Sequence, residues 1–179
     1  MVSIELVGPA IVRGLACSYC GRPMPPDEAG MVAAHAAWGW CGAVAIDADR
    51  TVGLLLVSAT TSVDPRVTVA WVGAGWVAAT HARQGIGRGL LQALAAGLHR
   101  GRVGTLFAHS DSRRRCAALP PGFLDGTGFV AIGASDSWRL DLNGAVPAVK
   151  GSVLGRLGRL VRAVGPVAPP EPARRADLR

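Results

Sequence analysis

Nothing in this sequence suits a bilayer crossing: residues 67–80 form an uncharged apolar run, too short to span a membrane. The opening Met-Val-Ser-Ile-Glu has no basic segment ahead of an apolar block, so no secretory signal is visible and the cytoplasm is the expected location. Cysteine is scarce. Cys17, Cys20, Cys41 and Cys116 are too few for a disulfide scaffold and suit reduced thiols. Tyrosine occurs once, at Tyr19, which limits where phenolic acid–base chemistry can come from. No internal repeat is present, which excludes solenoids and propellers. Excess charge is missing from the body of the chain. Residues 1–142 carry 12 Lys/Arg and 10 Asp/Glu, net +2, while residues 143–179 carry 7 and 2, net +5. The basic surplus belongs to the tail, so no nucleic-acid partner is expected for the core.

What is present is a length of 179 residues, half of them hydrophobic, enough for one domain with a sizeable core and an appendage. Cys17-Ser-Tyr-Cys20-Gly21 has the spacing of half a zinc knuckle. A second C-x-x-C or a histidine pair is lacking, and Cys41 and Cys116 would have to complete the site from a distance. The expectation is therefore no metal. Gly21, Pro23, Pro25 and Pro26 read as a loop, which disfavours a thioredoxin-like role for the pair.

Taken in order, residues 4–15 contain short apolar runs that could supply a first strand. Asp27 stands at the start of a helix running to Ala37. Residues 38–46 and 51–58 read as a hairpin around Asp47-Ala48-Asp49-Arg50. Leu54-Leu55-Leu56-Val57 is continuous apolar sequence, hence a central strand buried on both faces. Residues 67–77 form a further buried strand. Leu90, Leu91, Leu94, Ala95 and Leu98 then recur at helical spacing, to an end near Gly101. Residues 102–109 form another strand, residues 116–126 a short helix interrupted at Pro120-Pro121, and a last strand ends at Leu142. The sum is a mixed sheet with helices on both faces, an α/β (α+β) fold. Over residues 147–164, Val149, Val153, Leu157, Leu160, Val161 and Val164 share one helical face and Lys150, Arg156, Arg159 and Arg162 lie largely away from it. That pattern fits packing on the domain, a homodimer contact or an anionic lipid surface.

The stretch of most chemical interest is Arg83-Gln84-Gly85-Ile86-Gly87-Arg88-Gly89, a glycine turn between strand and helix. Unpaired N–H groups at a helix start, together with the helix dipole, make an anion site suited to phosphate. No lysine follows the glycines, so a P-loop is excluded, and Leu90 stands where a dinucleotide fingerprint needs its third glycine.

Residues 77–91 resemble motif A of the GNAT acetyltransferase superfamily, whose Gln/Arg-x-x-Gly-x-Gly/Ala turn closes with Gly-Ile-Gly-Arg-x-Leu-Leu. In that register the leading Gln/Arg position is Ala82, a departure, with Arg83 and Gln84 adjacent. Phe123-Leu124-Asp125-Gly126-Thr127-Gly128-Phe129-Val130, followed by Ser137-Trp138-Arg139-Leu140-Asp141-Leu142, resembles the closing Gly-Phe unit of the same family. The resemblance covers about residues 50–142. It implies a mostly antiparallel GNAT-like sheet and an acyl-CoA-binding domain over 1–142; the helical spacing and composition beyond it add a basic amphipathic helix over 143–164 and a disordered Pro/Arg tail over 165–179.

It also implies acetyl-CoA as co-substrate and direct attack on it by the amine of a small molecule or peptide. The pyrophosphate is expected on Arg83, Gln84, Gly85, Ile86, Gly87 and Arg88. The thioester carbonyl is expected at the backbone N–H of Val77 or Ala78. The family's usual proton-donating tyrosine falls on Leu124, and residues 67–77 carry no acidic base. His81, His109, Ser110, Asp111 and Cys116 are the possible substitutes. His109, at the end of its strand, is the candidate catalytic residue, and His81 reads as a solvent-facing loop residue. Two other readings are a non-catalytic acyl-CoA-binding module and a zinc- or lipid-associated interaction protein.

Overall fold

The computed structural model describes residues 1–24, 27–61, 68–110, 118–133 and 136–143. The chain divides into units Met1–Gly144 and Ala145–Arg179, and the described residues belong to the first. The helix expected over 147–164 and the tail beyond it lie outside the described residues, as do Asp111 and Cys116.

Among the described residues, eleven elements and one 3-10 turn build the unit: β1 (Ser3–Val7), α1 (Pro9–Arg13), α2 (Glu28–Trp38), β2 (Gly42–Asp47), β3 (Arg50–Thr61), β4 (Thr68–Val77), α3 (Ile86–Arg100), β5 (Thr105–His109), α4 (Pro121–Gly126), β6 (Val130–Ala131) and β7 (Ser137–Asp141). The strands form one sheet in the order β1-β2-β3-β4-β5-β7-β6. Every neighbouring pair is antiparallel except β4 and β5, which are parallel.

Local chemistry explains most boundaries. Asp27 accepts a hydrogen bond from Gly30 N–H and caps α2, and Gly39 closes that helix in the left-handed conformation. The β2–β3 hairpin turns on Ala48 and Asp49, both at positive φ, as a tight turn between twisted strands requires. The first strand expected within residues 4–15 is β1, which stops at Val7, and Pro9 then presets φ for the first turn of α1. One expectation is corrected. Pro120 and Pro121 do not interrupt a helix but open α4, because a first-turn residue has no intrahelical N–H bond to lose.

The described part of the stretch read as loop, residues 17–24, carries no helix or strand, yet backbone bonds fold residues 15–24 back on themselves. Met24 N–H donates to Leu15 O (3.0 Å), Cys17 N–H to Arg22 O (2.9 Å), and Gly21 N–H to Cys17 O (2.9 Å). This small hairpin holds Tyr19 at its tip.

The core lies on both sides of β3, whose Leu54, Leu55, Leu56 and Val57 are all buried. α3 covers one face: a Cβ placed on Gly53 would sit 3.1 Å from Ile86 Cγ2 and 3.2 Å from Leu90 Cδ1. α2 covers the other, since a Cβ placed on Gly30 would sit only 2.5 Å from Ser58 Cβ. Alternation along β3 then assigns Gly53 and Leu55 to the α3 face and Leu54, Leu56 and Ser58 to the α2 face. Full burial of each leucine side chain contributes about 1.5–3 kcal/mol, so this strand anchors both layers.

Candidate functional site

β4 and β5 pair only at Ala70–Leu106, Trp71–Phe107 and Val72–Ala108. Beyond Val72, β4 runs on to Val77 without β5 alongside it. A bulge sits at the parting point: Leu56 and Val57 face Ala74 and Val72, leaving Gly73 as the extra residue on β4. Ala78 N–H donates to Val52 O at 2.8 Å, so β4 presents Ala78 and Trp76 to β3. Ladder alternation directs the N–H and C=O of Gly75 and Val77 to the opposite edge, into the gap.

That gap is a cleft of about 1180 Å³. The cross-strand pair Leu54–Trp76, on the α2 face, lines it, and so does Leu55–Gly75, on the α3 face. The cleft therefore reaches both faces of the sheet.

At the far end of β4 the chain makes the 3-10 turn Ala79–His81 and then the glycine loop. Arg83 has φ +63° and Gly85, the residue before α3, φ +82°. A left-handed residue at Arg83 costs of order 1 kcal/mol and is held by its surroundings, a pattern common in ligand loops. Gly89 N–H is the first to close a bond inside α3, to Gly85 O at 3.0 Å. The N–H groups of Ile86, Gly87 and Arg88 precede it at the helix start, where the dipole favours anions. Gly87 is helical and its role is space, because a Cβ there would lie 3.1 Å from Phe123 Cε2. Arg88 donates to Gly126 O at 3.1 Å, tying the loop to α4. Arg83, Gly85, Ile86, Gly87, Arg88 and Phe123 all line the cleft.

The opposite wall holds a residue that the resemblance did not reach. Tyr19 donates its phenolic O–H to Val77 O at 2.6 Å and lines the cleft. Its being the sole tyrosine was the available signal; its arrival at β4 depends on the 15–24 hairpin, which has no apolar periodicity to read.

No protein-family profile matches the sequence, and no curated protein does. Solved structures do. Arabidopsis thaliana Naa50, in complex with the bisubstrate analogue CoA-Ac-MVNAL, superposes with a TM-score of 0.55 at 17% identity, covering 77% of this chain and 95% of that one. A GNAT-family protein from Desulfovibrio desulfuricans gives 0.53 at 20% identity, covering 79% and 99%. A chain of the NatC complex bound to Gag peptide and CoA gives 0.57 at 12% identity, covering 78% and 98%. The chain has the GNAT fold.

Within this GNAT fold the expected site residues separate. Val77 faces the gap, but Ala78 does not supply an N–H to it, because Val52 already accepts that hydrogen. Gln84 turns back to Thr80 O at 3.3 Å and is not among the cleft residues. His109 is exposed on the α2 face, stacked on Trp71 with ring centroids 4.6 Å apart, its Nδ1 3.3 Å from Ser137 Oγ. It is not among the cleft residues either. Ser110 is buried, with its N–H on Asp136 O.

His81 does line the cleft. Its Nε2 lies 3.3 Å from Asp47 Oδ2 and its Nδ1 2.9 Å from Thr80 Oγ1. The Asp47 carboxyl is held below its usual value first by the His81 hydrogen bond and then by the Met1 amino group. Leu124, at the family's tyrosine position, is 0% exposed and belongs to the core. Among the described residues, no three His, Cys, Asp or Glu side chains gather as a metal group would need.

Proposed function

We propose that this protein is an acyl-CoA-dependent N-acyltransferase whose pyrophosphate site is the loop 83–88 and whose transfer takes place in the gap between β4 and β5. The observation that carries the proposal is the juxtaposition, in one cleft, of the β4 edge beyond Val72, which β5 does not pair, with a left-handed glycine turn at a helix start. An anion fits the loop: Arg83 and Arg88 supply positive charge, and the first turn of α3 supplies N–H donors. The structural likeness to Naa50 and NatC, solved with a CoA analogue and with CoA, supports the same ligand here.

When bound, acetyl-CoA supplies the activated thioester. This chain's residues hold and polarise it. Val77 N–H is placed to donate to the developing oxyanion, an interaction worth most in a water-poor cleft. The amine adds to the carbonyl carbon, the C–S bond breaks, and one proton passes from nitrogen to the departing thiolate. Of the two histidines considered, His81 rather than His109 is our choice for that proton traffic, because it lines the cleft with Asp47 behind it.

Incubation with acetyl-CoA and a panel of amines tests the reading. Thiol release that requires both substrates and yields an N-acetylated amine is expected. Acetyl-CoA binding without thiol release under any amine would instead favour the non-catalytic binding module.

A further inference from the structure

Of the hairpin over residues 15–24, only Tyr19 lines the cleft. The base of the hairpin is fixed: Cys17 and Met24 are buried, and Ala16 pairs with Pro23 across it. The tip is not. Residues 18–23 are all exposed, Tyr19 at 57%. The tip reaches β4 through the phenolic O–H of Tyr19, donated to Val77 O at 2.6 Å. That acceptor is not a neutral place for a side chain to dock. β3 pairs with Trp76 and accepts from Ala78 N–H, so the C=O of Val77 points to the edge that β5 has left. A strand-edge carbonyl lining a cleft needs a partner, and the phenol supplies one.

We propose that Tyr19 is a latch: its phenol stands in on Val77 O for an amide N–H of the acyl-CoA arm, holds the hairpin tip against β4 until the arm arrives, and is displaced by it. This rests on the acyl-CoA reading of the cleft and adds to it a competitor carried by the chain itself. The arm is a chain with two amide groups, whose N–H donors leave water when they enter the cleft. Laid along the β4 edge, it offers Val77 O the kind of donor that Tyr19 now provides. The size of the competition follows from the bond. One neutral hydrogen bond shifts an equilibrium constant by a few-fold to about tenfold. A ligand already held by its pyrophosphate on the loop 83–88 can overcome that. With the buried base of the hairpin in place, the exposed tip can lift without unfolding the domain.

The test uses Tyr19→Phe, which removes the phenolic oxygen and keeps the ring. Calorimetry measures the affinity of parent and variant for acetyl-CoA and for 3′-phospho-ADP, which carries the pyrophosphate without the arm. The variant should bind acetyl-CoA about three- to tenfold more tightly than the parent and 3′-phospho-ADP equally well. Tyr19 is the sole tyrosine, so the parent labelled with 13C at the tyrosine ring carbons reports the latch alone. Its signal should move on adding acetyl-CoA and stay in place with 3′-phospho-ADP. Equal or weaker acetyl-CoA binding by Tyr19→Phe would overturn the latch, and so would a gain shared by both ligands. A tyrosine signal indifferent to acetyl-CoA would overturn it too, and that measurement decides the matter even if the variant does not fold. Binding of neither ligand to the parent is a different outcome, which defeats the acyl-CoA reading and the latch together.

Discussion

Gly85 and Gly87 stand two residues apart in the same loop, yet the structure gives them different reasons to be glycine, and alanine substitutions separate these. Gly85 has φ +82° and nothing within 4 Å of where a Cβ would be. Alanine there meets no neighbour but is held in the left-handed region, at a cost of about 1–2 kcal/mol. Gly87 is helical, where alanine is favoured by about 0.8–1.0 kcal/mol. Its Cβ would lie 3.1 Å from the Phe123 ring, so the ring must shift by a few tenths of an ångström and the two effects nearly cancel. For a unit of this size, 1 kcal/mol moves the melting temperature by roughly 3–4 °C. Thermal unfolding of Gly85→Ala should therefore drop by roughly 3–8 °C, and Gly87→Ala should stay within about 2 °C of the parent. In a Phe123→Ala background the clash at Gly87 disappears. Gly87→Ala should then raise the midpoint by roughly 3 °C relative to that background, while Gly85→Ala should cost as much as before. An unshifted midpoint for Gly85→Ala, or a Gly87→Ala effect indifferent to Phe123, would refute the assignment of these two roles.

Two further predictions concern titration and thiols. The Asp47 carboxyl is lowered from its ordinary 3.8 in the folded state, so its contribution to stability is fully present above that value and is lost as pH falls through the folded value. Asp47→Asn should flatten the acid limb of stability against pH below about 4; an acid limb as steep as the parent's would contradict the His81–Asp47 pairing. Burial pushes the Cys41 thiol up to about 11, and its S–H lies 3.6 Å from Val7 O. With roughly one thiolate in a thousand at pH 8, Cys41 should resist alkylation there. Exposed Cys20 should react and buried Cys17 should wait for denaturant, and peptide mapping that finds Cys41 labelled in the native protein would contradict its burial.

The parts of the fold governed by local pattern were legible. The β-branched run before the glycine turn is β4, the apolar spacing of Leu90, Leu91, Leu94 and Leu98 is the buried face of α3, and Gly101 ends that helix. Leu54 to Val57 is a strand buried on both sides because four consecutive apolar residues leave no polar face. The loop was legible for the same reason, since glycine spacing at a strand–helix junction has few physical uses. The rest of the site depends on tertiary placement. Tyr19 reaches Val77 through a hairpin of backbone bonds anchored by buried Cys17 and Met24, and Trp76 becomes a cleft wall only because β5 parts from β4 after Val72. Strand position put His109 near the expected cleft. Its side-chain parity puts it on the α2 face, with Trp71, and that parity depends on the β4–β5 register.

The central claim is that the loop 83–88 holds a pyrophosphate, and a calorimetric cycle reads it directly. Acetyl-CoA and acetyl-pantetheine, which lacks the pyrophosphate and nucleotide, are each titrated into the parent protein and into Gly85→Val, with folding of the variant verified by its melting transition. The account predicts that Gly85→Val weakens acetyl-CoA by about tenfold or more, since a β-branched residue cannot hold this φ, and leaves acetyl-pantetheine nearly unaffected. Equal losses for the two ligands, or no loss for acetyl-CoA, would contradict it.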